Sequence, residues 1–83
     1  MPKENTVVSH IHRVTDAQDL GGCIRAHRKR LGLTQEDLAL QTGISRPTIR
    51  AIEQGKETAR VGLVLQICAD LGLVLHLRDD GSC

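Results

Sequence analysis

The sequence predicts an all-α fold, a compact four-helix domain that ends in a short β-strand. Three observations carry this. Apolar residues recur at helical spacing over residues 15–31 and 58–71, and two shorter segments with their own start and stop residues lie between them. Gly43 and Gly72 stand where helices must stop. Residues 73–78, LVLHLR, then alternate, with Leu73, Leu75 and Leu77 set against Val74, His76 and Arg78, which is strand periodicity. The organisation expected is an N-terminal arm or short strand over 1–14, a helical domain over 15–72, and a strand with a polar tail over 73–83.

Composition narrows the function. A chain of 83 residues makes one small domain, too small for a large enclosed catalytic cleft. It has no Phe, Tyr or Trp, so the core must be built from Leu, Ile, Val and Ala. Such a core is thin, and a dimer interface would relieve it. Cys23, Cys68 and Cys83 are widely spaced with no C-x-x-C, which fits reduced thiols better than a disulfide framework or zinc ribbon. Cys23 and Cys68 read as small core residues, and Cys83 as terminal and exposed. With no apolar leader and no bilayer-length stretch, the expectation is a soluble, cytoplasmic protein without a membrane role. The net charge of +1 says little by itself. Its distribution says more, because residues 20–60 hold eight of the eleven Lys and Arg but four of the ten Asp and Glu.

Residues 6–14, TVVSHIHRV, are rich in β-branched side chains and suit a strand or an extended arm. His10 and His12 would share one side of it. A metal would need two further donors, and none is near in sequence, so solvent-facing histidines and no metal are expected. Thr15-x-x-Gln18 reads as a capping box that opens a helix to about Leu31. Its inward stripe is Leu20, Ile24, His27 or Arg28, and Leu31. Arg25, Lys29 and Arg30 project elsewhere, onto either a solvated face or a phosphate backbone.

The next stretch, residues 33–55, reads as two short helices joined by a tight turn. Thr34 caps the first, with Asp37 completing an acidic capping box, and Leu38 and Ala39 face inward. Glu36 and Asp37 lie in the first turn, where the helix macrodipole favours acids. Gly43 stops this helix and Ile44 anchors the turn. Ser45 caps the second helix, and Pro47 sits in its first turn, where a missing N–H costs nothing. Ile49 and Ile52 fall on one side, with Arg46, Pro47, Arg50 and Gln54 on the other. An apolar back with a cationic front is what insertion into a DNA major groove requires.

These residues resemble the helix-turn-helix of the lambda-type repressor and Cro family, also called the XRE family. The match rests on Gln35, Ala39, Gly43, Ile49, Ile52, Glu53 and Gly55 and covers about residues 20–72. The resemblance implies a second helix in the major groove and a symmetric dimer on double-stranded DNA. It implies that Arg28 pairs with Glu53 as a structural salt bridge. It also implies that Gln35 and Thr34, at the amino end of the first motif helix, and Lys56 and Arg60, past the second, hold phosphates. The structure-free alternative for Lys56 and Arg60 is two solvated loop charges. Arg46 and Arg50 suit base reading, since a guanidinium takes guanine O6 and N7 together. Thr48 could meet a thymine methyl or a phosphate, and Pro47 offers only apolar contact. Family members often carry amides at this helix front, so Arg46-Pro47 is a departure and the family's base contacts do not transfer.

A last helix is expected to open at Thr58 or Ala59 and run to about Leu71. Its apolar residues exceed one face, and the surplus, Val61, Leu65 and Cys68, should meet another molecule. A lone strand over 73–78 needs a partner, either the N-terminal segment or the same strand of a second copy, which would bring Leu73, Leu75 and Leu77 into a dimer interface. This ending resembles the HipB-type antitoxins and their Y4mF-like relatives, whose C-terminal strands pair across the dimer axis. The reading is a DNA-binding transcriptional repressor, an antitoxin of a toxin–antitoxin operon, acting as a homodimer without a cofactor. The alternative is a module whose main work is to hold a partner protein, in this resemblance a HipA-like kinase toxin. No nucleophile, phosphate loop or metal cluster suggests an enzyme.

Overall fold

The computed structural model describes residues 11–79 and 81. They form four helices: α1 Ala17–Arg30, α2 Gln35–Thr42, α3 Arg46–Glu53 and α4 Val61–Asp70. No strand occurs among the described residues. Of the expected N-terminal strand, residues 6–10, with His10, lie outside the described residues, and residues 11–14 are exposed and not in a ladder. Cys83 also lies outside them. Residues 73–79 carry no strand pairing among the described residues.

The start of α1 differs from the capping box expected at Thr15 and Gln18. Asp16 is the cap, its carboxylate accepting the Asp19 N–H at 2.7 Å. Asp19 answers by accepting from the Thr15 backbone N–H and hydroxyl, at 3.0 and 2.8 Å. The cap falls one residue later than expected because a carboxylate at Asp16 accepts more strongly than a hydroxyl, and Asp19 bonds to Thr15 rather than closing a box on the Asp16 N–H. Along α1, Gly21, Ile24 and Arg28 are buried. Leu31, expected on the inward stripe, is exposed. It is the C-cap, where the chain leaves the helix, and Leu33 packs on the core in its place. Helix α4 likewise opens later than expected, at Val61, because Lys56 to Ala59 close a turn of their own through the Ala59 N–H to the Lys56 carbonyl.

Helices α1 and α4 close alike. The Gly32 and Gly72 N–H groups bond to the Lys29 and Ala69 carbonyls, and the Leu33 and Leu73 N–H groups reach back to Arg28 and Cys68. This closure needs a residue at positive φ, and both glycines sit at φ 76°. It also throws Leu33 and Leu73 back onto the core. Thus Leu73 docks as the residue after a helix stop rather than as the first residue of a paired strand.

The core is Ile24, Leu38, Ile44, Ile49, Ile52, Val64, Ile67, Cys68 and Leu71. Helix α1 packs on α3, and α2 packs on both α3 and α4. Cys68, read both as a small core residue and as part of the α4 surplus, is 2% exposed and belongs to this core, not to the surplus. Burial raises its thiol pKa, so it is a packed apolar side chain. The large apolar residues that α4 turns outward are Val61 and Leu65. Removing a fully buried isoleucine such as Ile49 would cost about 2–5 kcal/mol.

Candidate nucleic-acid interface

Helix α3 is positioned by its ends and its buried back. Gly43 ends α2 at φ 76°, and its N–H bonds to the Ala39 carbonyl. The chain then turns through Ile44, whose side chain is buried and whose N–H bonds to the Thr42 hydroxyl. Ser45 caps α3, accepting the Thr48 N–H and donating its own proton to Thr48 Oγ1 at 2.8 Å. With Ile49 and Ile52 buried, the opposite face presents Arg46, Pro47, Arg50 and Gln54 to solvent, as the sequence indicated. Thr48 is half-buried and already bonded to Ser45.

The carboxyl end of α3 is locked by Glu53. Arg28 donates Nε to Oε2 at 2.7 Å and Nη2 to Oε1 at 3.0 Å, a two-pronged pair. Its Nη1 donates to the Leu33 carbonyl at 2.6 Å. Gln35 adds a third bond to Glu53, from Nε2 to Oε1 at 3.1 Å. A carboxylate at a helix C-terminus opposes the macrodipole, and burial adds a desolvation cost. Three charge-assisted or amide donors offset both. The bond to Glu53 raises the Arg28 pKa, so the guanidinium stays charged. One cluster therefore ties α1, the start of α2 and the end of α3 together.

Close backbone approach supports the same junction. A Cβ at Gly21 would collide with the Ile52 carbonyl and lie 2.8 Å from that of Glu53. A Cβ at Gly55 would lie 2.8 Å from the Gln18 Cα. The sequence reading placed Gly55 in the motif but missed Gly21. A glycine inside an otherwise regular helix, followed by a second one, was the available signal.

Of the expected phosphate-holding residues, Thr34 and Gln35 stand at the start of α2, Arg60 at the start of α4, and Lys56 in the loop between α3 and α4. At α2, Thr34 Oγ1 accepts the Asp37 N–H and Asp37 accepts the Thr34 N–H, both at 2.9 Å. The Gln35 amide is engaged with Glu53, so its role in the free protein is to brace α3 as well as to stand at this helix start. At α4, Arg60 is the N-cap and makes no side-chain cap bond. An open groove beside the start of α4 is bordered by Pro47, Thr48, Lys56 and Arg60. Lys56, Arg60, Arg46 and Arg50 are all exposed. The arrangement is an open surface with cations on one helix front and two helix starts beside it, suited to a polyanion. One contact was not anticipated. Glu36 reaches across the motif to Arg46, Oε1 to Nη1 at 3.8 Å. No helix among the described residues is long and apolar enough to cross a membrane.

Comparison with known proteins agrees with this geometry. The family model described as a helix-turn-helix domain matches residues 19–80. The chain is 49% identical over 56 residues to an uncharacterized HTH-type transcriptional regulator of Methanothermobacter thermautotrophicus, covering 68% of this chain and 80% of that one. It is 35% identical over 70 residues to the HTH-type transcriptional regulator y4mF of Sinorhizobium fredii, covering 84% and 92%. Among solved structures it is similar to one described as a HipB–O1–O2 complex, with TM-score 0.77, 25% identity and coverage of 83% and 100%. A HipA–HipB–O2–O3 complex matches in fold at TM-score 0.77 and 24% identity, covering 84% and 99%.

Proposed function

Because the chain belongs to the helix-turn-helix domain family, we propose that it is a sequence-specific DNA-binding repressor that acts as a homodimer and serves as the antitoxin of a toxin–antitoxin operon. One observation carries the DNA-reading part: α3 buries Ile49 and Ile52 and turns Arg46, Pro47 and Arg50 outward, with its far end locked by Arg28 and Glu53. Arg46 and Arg50 read bases, with Thr48 and Pro47 beside them. Lys56 and Arg60, the start of α4, and Thr34 and Gln35 at the start of α2 hold phosphates on either side.

The dimer rests on surface chemistry. Val61, Leu65, Leu75 and Leu77 are exposed, and Leu77 is wholly so. The backbone N–H and C=O groups of residues 74–78 have no backbone partner among the described residues and lie along an alternating apolar edge. Pairing with the same segment of a second copy covers both. On this reading 15–72 is the DNA-reading domain, with 1–14 as an N-terminal arm or short strand and 73–83 as a dimerisation strand with a polar tail. The antitoxin role draws its support from the likeness to HipB, which occurs in a structure with HipA.

The same apolar surface favours a second reading, in which holding a partner protein is the main work and DNA binding is weak. Capture of sheared genomic DNA by the purified protein separates them. Retention of a few fragments above a uniform background supports the repressor. Uniform retention or none supports the partner-holding module.

A further inference from the structure

We infer that Glu36 is a specificity-determining residue that makes Arg46 favour a base edge over a phosphate. The inference rests on the DNA-reading role of α3 proposed above. Glu36 sits in the first turn of α2, and Arg46 is the first residue of α3. The macrodipole of α2 would account for an acid there but not for its reach. Asp37 already closes the cap with Thr34, whereas the Glu36 carboxylate extends across the motif to within 3.8 Å of Arg46. Both side chains are about two-thirds exposed, 63% for Arg46 and 64% for Glu36. A pair this wet contributes little to folding. Its consequence lies with whatever approaches Arg46.

Two acceptors on DNA compete for this guanidinium. A phosphate is an anion, and to reach Arg46 it must come beside the Glu36 charge, which repels it. The guanine O6 and N7 edge is neutral and pays no such penalty. Arg46 has five N–H donors, so it can give two to a base and keep others for Glu36. The carboxylate therefore penalises the sequence-blind contact and spares the reading one. A net repulsion of this kind raises discrimination without adding affinity.

The test uses the full chain with Glu36→Gln, Arg46→Ala and the double variant, on a selected duplex and a scrambled duplex of equal length. Glutamine is isosteric with glutamate and the site is exposed, and circular dichroism checks that all variants fold alike. Glu36→Gln should tighten the scrambled duplex roughly two- to fivefold, the span of an exposed ion pair, with little change on the selected one. The salt slope on the scrambled duplex should steepen by about one phosphate contact. Both effects should vanish in the Arg46→Ala background. Equal tightening on both duplexes, or tightening that persists without Arg46, would mean a general field effect and overturn the inference while leaving the DNA-reading role intact. A wild-type chain that cannot tell the two duplexes apart would remove that role, and this inference with it.

Discussion

Arg28 and Glu53 meet through two parallel hydrogen bonds at 2.7 and 3.0 Å, between α1 and the end of α3, with both residues about 5% exposed. Neither charge can turn to water if the other is lost. Replacing either with alanine should cost about 3–5 kcal/mol, because an uncompensated buried charge remains. Urea melts followed by circular dichroism measure this. A loss below about 1 kcal/mol, the range of exposed pairs, would show that the pair is solvated.

Gly21 and Gly22 are neighbours on α1 with opposite expectations. Gly21→Ala drives a Cβ into the carbonyls of Ile52 and Glu53, so α1 must shift off α3 at about 1–3 kcal/mol. Gly22→Ala meets nothing within 4 Å and should stabilise by about 0.5–1 kcal/mol through better helix propensity. The same melts decide both, and equal effects would refute the close approach.

Acid should loosen the helix starts. Hydrogen bonds from the Thr34 backbone and side chain lower the Asp37 pKa, and the Thr15 side chain and backbone do the same for Asp19. A carboxylate whose folded pKa lies below its unfolded value stabilises the fold above the unfolded pKa, near ~3.9, and loses that contribution as pH falls through the folded one. Stability should therefore be flat above about pH 5 and decline below about pH 4. Asp37→Asn should reduce that decline. An acid limb of unchanged depth in this variant would contradict the role of Asp37.

Most of the helical plan was legible because each boundary had its own local chemistry. Thr34 with Asp37, Gly43, Ser45 with Pro47, and Gly72 each fix a start or stop by short-range bonding. The Arg28–Glu53 pair came from resemblance and from a charge on an apolar stripe. What could not be read depended on distance in space. The Gly21 contact joins residues more than thirty positions apart, and the Glu36–Arg46 contact requires the turn at Gly43 to be folded. Cys68 was open to two readings, core or surplus, because α4 has more apolar residues than one face needs, and only packing shows which of them turn inward. The strand expected at residues 73–78 has no ladder among the described residues, because strand periodicity alone does not name the segment that would pair with it.

Base reading and phosphate holding predict different losses. Arg46→Ala should cost about 1–3 kcal/mol on the preferred duplex and relax preference at one base pair. Lys56→Ala should weaken all duplexes alike and lower the salt slope by about one. Fluorescence anisotropy across sequences and salt concentrations tells them apart, and identical behaviour would contradict the assignment of Arg46.

The dimer has its own check. Leu77→Glu places a charge on a side chain that is fully exposed in one chain. It should leave the thermal melt of the helical core nearly intact at low concentration yet shift sedimentation from dimer to monomer. Wild-type protein that sediments as a monomer at micromolar concentration would remove the paired-strand interface.

The role proposed for α3 is to read DNA as one half of a two-fold pair. In vitro selection from a random duplex library, at low and moderate salt, tests it most directly. An inverted repeat whose half-site centres are about 10 base pairs apart, or a multiple of that, should be enriched. Binding that is only salt-sensitive and blind to sequence, or no binding, would contradict it.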